Sequence, residues 1–532
     1  MSTRTARRSA TDSRKPGFLP PGGRPRLSPA LCRPQPTRRA TAFVSLALGA
    51  LWTGLMLVHL FAGGPIGLAD QQDGNRLVCQ LGVGNDRPWA SDTTGYVYTR
   101  WIPYRMPGEA CGAAGSGEPY PSSQLLPLWL AKQLTPVLGM GDGLDLKALG
   151  VVHAVAVGVL LGLLCAVLTG RLWVRAAFVC AVGLVMCDSL FAGFFVSPYS
   201  EPGGLLGILA LCVAVLHLAR KGCATWGALL ALTAAALWTT MAKTQLMVFL
   251  PLVMAVMLWL PGPGPAEAPA SDAAADERPS RTARLGAALR RRVPALLLCG
   301  VLGMCALWFT AEQPKRLNDM VWYDAVFMEM LPHSKDPEAK LKALGADPSL
   351  VDAANTNIIS PDSAARSPHW EDYRKKVTPL KIVLAQLTDP ASLLDKQRRG
   401  LVGVVSLQLD FLGSYPPDSG HPEHAKEHRW PLGGWLFKAL GNVLIVIPLG
   451  GLLMGATGAV VATRRHLPTA DRGLGVLALL LAGGCIGQFW MQMLTMGQSD
   501  LNKHLIFIGF MMMLGIPVFA AMCGALARAR RS

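Results

Sequence analysis

Ten apolar runs long enough to cross a bilayer govern what this chain can fold into. A hydrocarbon core about 30 Å thick takes roughly 20 residues at 1.5 Å each. The runs fall near residues 41–63, 148–169, 174–194, 203–219, 225–241, 244–260, 293–310, 436–462, 473–494 and 505–527. Backbone polar groups in lipid must find partners within their own segment, so such runs fold as helices. The reading is an all-α polytopic membrane protein of about ten transmembrane helices.

The gaps between the runs alternate in character. The segment up to Arg39 carries Arg4, Arg7, Arg8, Arg14, Lys15, Arg24, Arg26, Arg33, Arg38 and Arg39 against a single acid, Asp12. The positive-inside bias keeps it in the cytoplasm. Counting onward, the cytoplasmic gaps are Arg171–Arg175, Arg220–Lys221, 261–292, Arg464–Arg472 and the tail Arg528–Arg531, and each is basic. Even span count and charge bias therefore agree on a multi-pass plasma-membrane protein with both termini cytoplasmic. The net charge of +16 is mostly this topology signal, with contacts to anionic membrane lipid rather than to nucleic acid. The first run follows too long a tail, and precedes too many others, for a cleaved signal peptide, and reads as an uncleaved anchor.

Four regions follow. Residues 1–40 form a basic disordered tail, and 41–310 an N-terminal transmembrane bundle with external loop 64–147 and cytoplasmic linker 261–292. Residues 311–435 make a large extracytoplasmic loop or domain, and 436–532 the C-terminal transmembrane helices with a basic tail. Within the linker, 261–280 is too rich in Pro, Ala and small polar residues to fold alone. Loop 64–147 contains an in-plane helix pattern at Ser122–Leu138, and loop 311–435 contains helical patterns at Asp319–Met330 and Pro379–Leu394.

Ten of the 12 cysteines lie in or beside spans or in the cytoplasmic tail. Cys79 and Cys111 share one external loop, where an oxidising exterior can join them; two unrelated thiols is the alternative.

Polar chemistry gathers on the external side. After the first run comes Asp70-Gln-Gln-Asp73-Gly-Asn-Arg76; near the end of the third are Asp188 and Ser197-Pro-Tyr199-Ser-Glu201. Lys243-Thr-Gln245 sits in the hairpin between the fifth and sixth, and Asp500-Leu-Asn-Lys503-His504 before the last. Ionisable groups at membrane depth are costly and line a cavity or a path. Each also has a plainer reading: Asp73-Gly-Asn as a turn, Glu201 as a helix-start acid, Lys243 as a solvent-reaching hairpin residue, Asp500 and Lys503 as a local pair. His421, His424 and His428 have ligand-like spacing, but their Pro-rich, charged, cysteine-free run reads as a solvated loop.

Transporters bind near the midplane, with broken helices and matching halves. No internal repeat and no chain of acids through the bilayer is evident here, and no Walker or Rossmann glycine fingerprint for a nucleotide donor. A polar external face suits an enzyme acting on a lipid-linked substrate. Moving a sugar from a lipid phosphate to a hydroxyl needs a carboxylate to take the acceptor's proton and cations to hold the departing phosphate. Asp73 and Asp70 are the candidate carboxylates; Arg76, Lys243, Lys503 and His504 are candidate phosphate contacts. A transporter or flippase of lipid-linked glycan precursors is the alternative.

At these residues the chain resembles the membrane-embedded GT-C glycosyltransferases, particularly actinobacterial hexosyltransferases of cell-surface glycans. The resemblance rests on the acidic motif after the first run, Ser197-Pro-Tyr-Ser-Glu201, Asp500-x-x-Lys503-His504, and the stretches Trp322-Tyr-Asp-Ala-Val-Phe-Met-Glu-Met-Leu-Pro-His333 and Leu344-Gly-Ala-Asp-Pro348. It covers most of residues 41–527. It implies a GT-C-like bundle with a small soluble external portion, and a polyprenyl-phosphate-linked hexose donor. It further implies a cell-envelope glycan, lipid or protein acceptor, and an inverting transfer with Asp73 as base and Asp70 beside it. Asp188, Tyr199, Glu201, Gln245 and Asp500 join the cations as substrate-binding residues. Gln71 and Gln72 separate what is often a tighter acidic pair in that family, which leaves open which aspartate is the base. Two nearby aspartates can bind a divalent cation or work without one, so the metal stays open; no other cofactor is implied.

Overall fold

All ten apolar runs are helical in the computed structural model, which describes residues 37–68, 74–84, 100–103, 111, 119–262, 286, 289–409, 412–415, 419–422, 425–498 and 500–531. The tail to residue 36, Asp70, Asp73, His424 and most of the linker 261–292 lie outside the described residues.

In chain order the helices are α1 (Arg38–Phe61), α2 (Leu146–Val167), α3 (Leu172–Met186), α4 (Glu201–Lys221), α5 (Trp226–Thr240), α6 (Phe249–Trp259), α7 (Val293–Ala311), α8 (Val446–Thr463), α9 (Thr469–Thr495) and α10 (Ile506–Arg531). Among the described residues, seven spans are long and apolar enough to cross a membrane: α1, α2, α4, α7, α8, α9 and the stretch Leu501–Arg531 that ends in α10. Helix α3 with Ser189–Val196, bent by 56°, makes an eighth. The bend falls where Asp188 caps the second piece, accepting from Leu190 N at 3.0 Å. The fifth and sixth runs form shorter helices, 15 residues in Trp226–Thr240 and the stretch Thr244–Trp259, meeting at the Lys243 hairpin. The run 436–462 is broken at Asn442–Ile445, between a helix Leu432–Gly441 and α8.

Helix α4 is the axis of the bundle: 83% of its apolar window is buried, against 17% for α8, whose Leu449, Leu452 and Leu453 face outward. Around α4 pack α2, α5, α9 and α10. Small residues let the backbones approach, as membrane helices without a hydrophobic drive between them require. A Cβ on Gly162 of α2 would stand 2.8 Å from Ser45 O of α1, and one on Gly458 of α8 would stand 3.0 Å from Gly475 O of α9.

Between α7 and α8, residues 315–405 form a helical cap with its own aromatic core. Tyr323 stacks on Phe327 (centroids 4.4 Å apart) and Trp370 on Tyr373 (5.0 Å), beside buried Leu341, Leu344 and Ile382. The expected helix at Asp319–Met330 is two pieces, Lys315–Tyr323 continuing into a wider π-helical stretch, Asp324–Met330. The expected helix at Pro379–Leu394 also divides, into Pro379–Leu387 and Pro390–Val405, because Asp389-Pro390 starts a new one. Four cap helices begin in this way. Asp336, Asp347, Thr378 and Asp389 each precede a proline and accept a backbone N–H from inside the helix.

Inside the cap, one buried carboxylate ties the stretch Asp324–Met330 to the helix Pro390–Val405. Glu329 receives Lys396 Nζ at 2.6 Å and the Arg399 guanidinium at 2.6 and 2.9 Å. Burial alone would raise the Glu329 carboxyl; the two cations overcome it and hold it below the usual carboxylate range. Lys396, buried beside Arg399 and sharing the one carboxylate, is pushed below the usual ammonium range, although Glu329 opposes this. Gly497, at φ +57° after α9, leaves room for Glu329: a Cβ there would stand 2.6 Å from the Glu329 Cβ. Gln386 Nε2 adds a bond to Leu494 O at 2.8 Å.

Candidate active site at the polar helix ends

The chain enters α4 through Ser197-Pro-Tyr-Ser, which places Glu201 in the helix's first turn, where an acid complements the dipole. Beside it, the end of α5 delivers Lys243. Its Nζ lies 2.6 Å from Glu201 Oε1, and the two side chains are 17% and 1% exposed. Ser200 Oγ reaches Glu201 Oε2 at 3.5 Å.

Two residues beyond Lys243, the Gln245 amide clasps His504. Nε2 donates to His504 O at 3.2 Å, and Oε1 lies 2.8 Å from His504 Nδ1, making Nδ1 the donor. Gln488 of α9 secures the same turn, its Nε2 donating to Gln245 O at 2.6 Å. Adjacent Lys503 is buried, its Nζ 4.3 Å from the centre of the Tyr199 ring, a cation–π geometry. Asp500, at φ +44°, turns the chain into the short helix Leu501–His504. Tyr199, Glu201, Lys243, Gln245, Lys503 and His504, far apart in sequence, thus form one linked cluster.

The wall beside it comes from loop 64–147. Ser122 Oγ donates to Ala242 O at 2.8 Å, Ser123 N to Met241 O at 2.9 Å and Ser123 Oγ to Trp238 O at 2.8 Å. These bonds fasten the helix Leu125–Val137, which exposes Leu126, Trp129 and Leu130, to the end of α5. Gln124 and His153 were not singled out by the sequence. His153 Nδ1 donates to Phe195 O at 2.7 Å, leaving Nε2 to accept from Gln124 Nε2 at 3.2 Å. A lone histidine in an otherwise apolar span was the available signal.

A family model described as the YfdI N-terminal transmembrane domain matches residues 36–529. The chain belongs to that family. The match takes in α1 to α9, all but the last two residues of α10, the cap and every described residue of the cluster. No curated protein and no solved structure matches the chain.

Within this family member, the remaining predicted residues are distributed differently. Arg76 sits half-buried on the short helix Asn75–Val78; Gln80 Nε2 bridges Arg76 O and Tyr120 O, both at 3.0 Å. This ties Arg76 to the segment that leads into Ser122. Cys79 and Cys111 are joined by a disulfide, their Cα atoms 5.2 Å apart.

Asp188 lies apart from the cluster. Besides capping Ser189–Ala192, it accepts from Gly433 N at 2.6 Å. Near it is a carboxylate that sequence reasoning passed over, Glu427, bonded to His59 Nε2 and Ser189 Oγ at 3.1 Å and to Arg429 N at 2.9 Å. Burial works to raise the Glu427 carboxyl, and these donors hold it below its usual range. Arg429 donates to His59 O and Gly64 O, so the group sews 427–433 onto the end of α1. His421 stacks on Tyr415, with centroids 3.8 Å apart. Among the described residues, no group of three or more His, Cys, Asp and Glu is placed to hold a metal ion.

Proposed function

We propose that the chain is a GT-C-type inverting hexosyltransferase of the plasma membrane. In this reading it moves a hexose from a polyprenyl-phosphate donor to a cell-envelope glycan, lipid or protein on the external side. The observation that carries the reading is the buried cluster in which Lys243, Lys503 and His504 converge with one carboxylate, Glu201, at one end of the bundle. Three donor-bearing side chains in a low-dielectric setting suit a phosphate whose charge grows as the sugar leaves.

Two features support it further. Arg76 is tied through Gln80 and Tyr120 toward the same wall, and Asp73 stands three residues before it in sequence, in the role of the base, with Asp70 beside it. A groove of about 540 Å³ runs along α2, α4 and α5, lined by Ala156, Leu160, Leu206, Ala210 and Ala231, with Trp238 on its lining. Trp238 Nε1 donates to Gly203 O at 2.9 Å, close to the start of α4, so the groove offers an apolar path for a polyprenyl tail that leads toward the cluster.

The test is sugar transfer by purified protein in nanodiscs, given a panel of polyprenyl-phosphate sugars and comparing wild type with Asp73→Asn. The expected result is release of polyprenyl phosphate by wild type only. Turnover by both keeps the enzyme and moves the base to Asp70 or elsewhere. Movement of intact donor between leaflets without release makes the protein a flippase.

A further inference from the structure

At the opposite, basic end of the bundle, α2 finishes at Val167, turns tightly through Gly170 at φ +98°, and re-enters as α3. Below this turn is a half-open cavity of about 350 Å³, walled by Val167, Phe178, Leu216 and Leu474. Ala521 and Gly524 of α10 leave its far side hollow, and Arg175, Asp471 and Arg528 line it as well.

Arg175 is the unusual member. It is only 4% exposed, and its Nε donates to Gly170 O at 3.0 Å. Among the described residues neither of its Nη groups has a hydrogen-bond partner. With Nε already bonded, the guanidinium offers its four remaining N–H donors to an anion in the cavity. Asp471 does not supply one, since it pairs with Arg528 at 3.3 Å. Arg220 donates to Ala166 O, one residue from the cavity wall, and adds a further cation. The lining therefore carries two arginines against one aspartate, around an apolar hollow at the end of the membrane-crossing helices.

We infer that this cavity binds an anionic phospholipid, its phosphate held by Arg175 and Arg528 and an acyl chain lying in the hollow. Guanidinium forks match phosphate oxygens in pairs, and basic pockets between membrane helices take acidic headgroups. The net positive lining selects an anionic lipid over a zwitterionic one.

Thermal melting of the delipidated full-length protein in detergent tests this, with phosphatidylglycerol, phosphatidylcholine or inorganic phosphate added. Phosphatidylglycerol should raise the wild-type melting temperature by several degrees while the other two leave it unmoved. The increment should vanish in Arg175→Gln and in Ala521→Phe, which fills the hollow and keeps both arginines. Arg175→Gln also removes the bond to Gly170, so Ala521→Phe and Arg528→Gln decide the matter if it fails to fold. An equal response to phosphatidylcholine, an equal response to inorganic phosphate, or an undiminished phosphatidylglycerol response in the variants that fold would overturn the assignment.

Discussion

Glu201 and Lys243 show how a residue-scale choice sets both stability and chemistry. A buried pair adds little over an apolar replacement, yet removing one partner strands the other and costs about 3–5 kcal/mol. Lys243→Met should therefore lower the melting temperature sharply, and Glu201→Gln with Lys243→Met should recover most of it while transfer stays lost. A double-mutant cycle on melting and turnover checks both halves. Glu329 makes a second prediction, with a pH signature. Its folded-state pKa lies below the ordinary 4.5, so its contribution is complete above that value and is lost as pH falls below it. As pH falls below the ordinary 4.5, the wild type should lose stability by a step that Glu329→Gln, already destabilised at neutral pH, lacks. The sequence made Lys243, Lys503 and His504 visible because charges beside apolar runs stand out. The roles of Glu427 and Glu329 were not legible, since Glu427 sits in an ordinary polar stretch and each acquires its function from partners distant in sequence, His59 and Ser189 for Glu427 and Lys396 and Arg399 for Glu329.

At the scale of elements, apolar run length found a helix under each of the ten runs, because span length is fixed by the solvent rather than by packing, although seven or eight of them are long and apolar enough to cross a membrane among the described residues. Breaks were harder to read. Asp188 caps a new helix in mid-run, and 442–445 interrupts another, in each case without a proline at the break to announce it. In the cap the signals were present: Asp389-Pro390 is a helix start that the apolar pattern on either side obscured. The Cys79–Cys111 bridge closes a stretch with a sequence separation of 32. By loop-closure arithmetic this is worth up to about 3–4 kcal/mol of loop order. Cys79→Ser with Cys111→Ser should speed proteolytic nicking within loop 64–147 and reduce transfer, while the far end of the bundle melts unchanged; reductant added to wild type should do the same.

For the whole molecule, the alternating charge of the gaps predicts that Arg531 and Asp362 face opposite compartments. In right-side-out vesicles a membrane-impermeant maleimide should label Asp362→Cys and leave Arg531→Cys untouched; the reverse would invert the topology. The cap's attachment was not legible in the sequence, since it depends on where Gly400 meets Phe489 and Met493 of α9 and Gly403 meets Leu501 and Leu505. That attachment has a mechanical consequence. Glu329 rests against Gly497, and Gly403 against Leu501 and Leu505, on the same turn that presents Lys503 and His504. The cap packs through Gly403 on the two leucines that flank Lys503 and His504, so a body landing on the cap bears on the turn that carries the proposed phosphate-holding lysine.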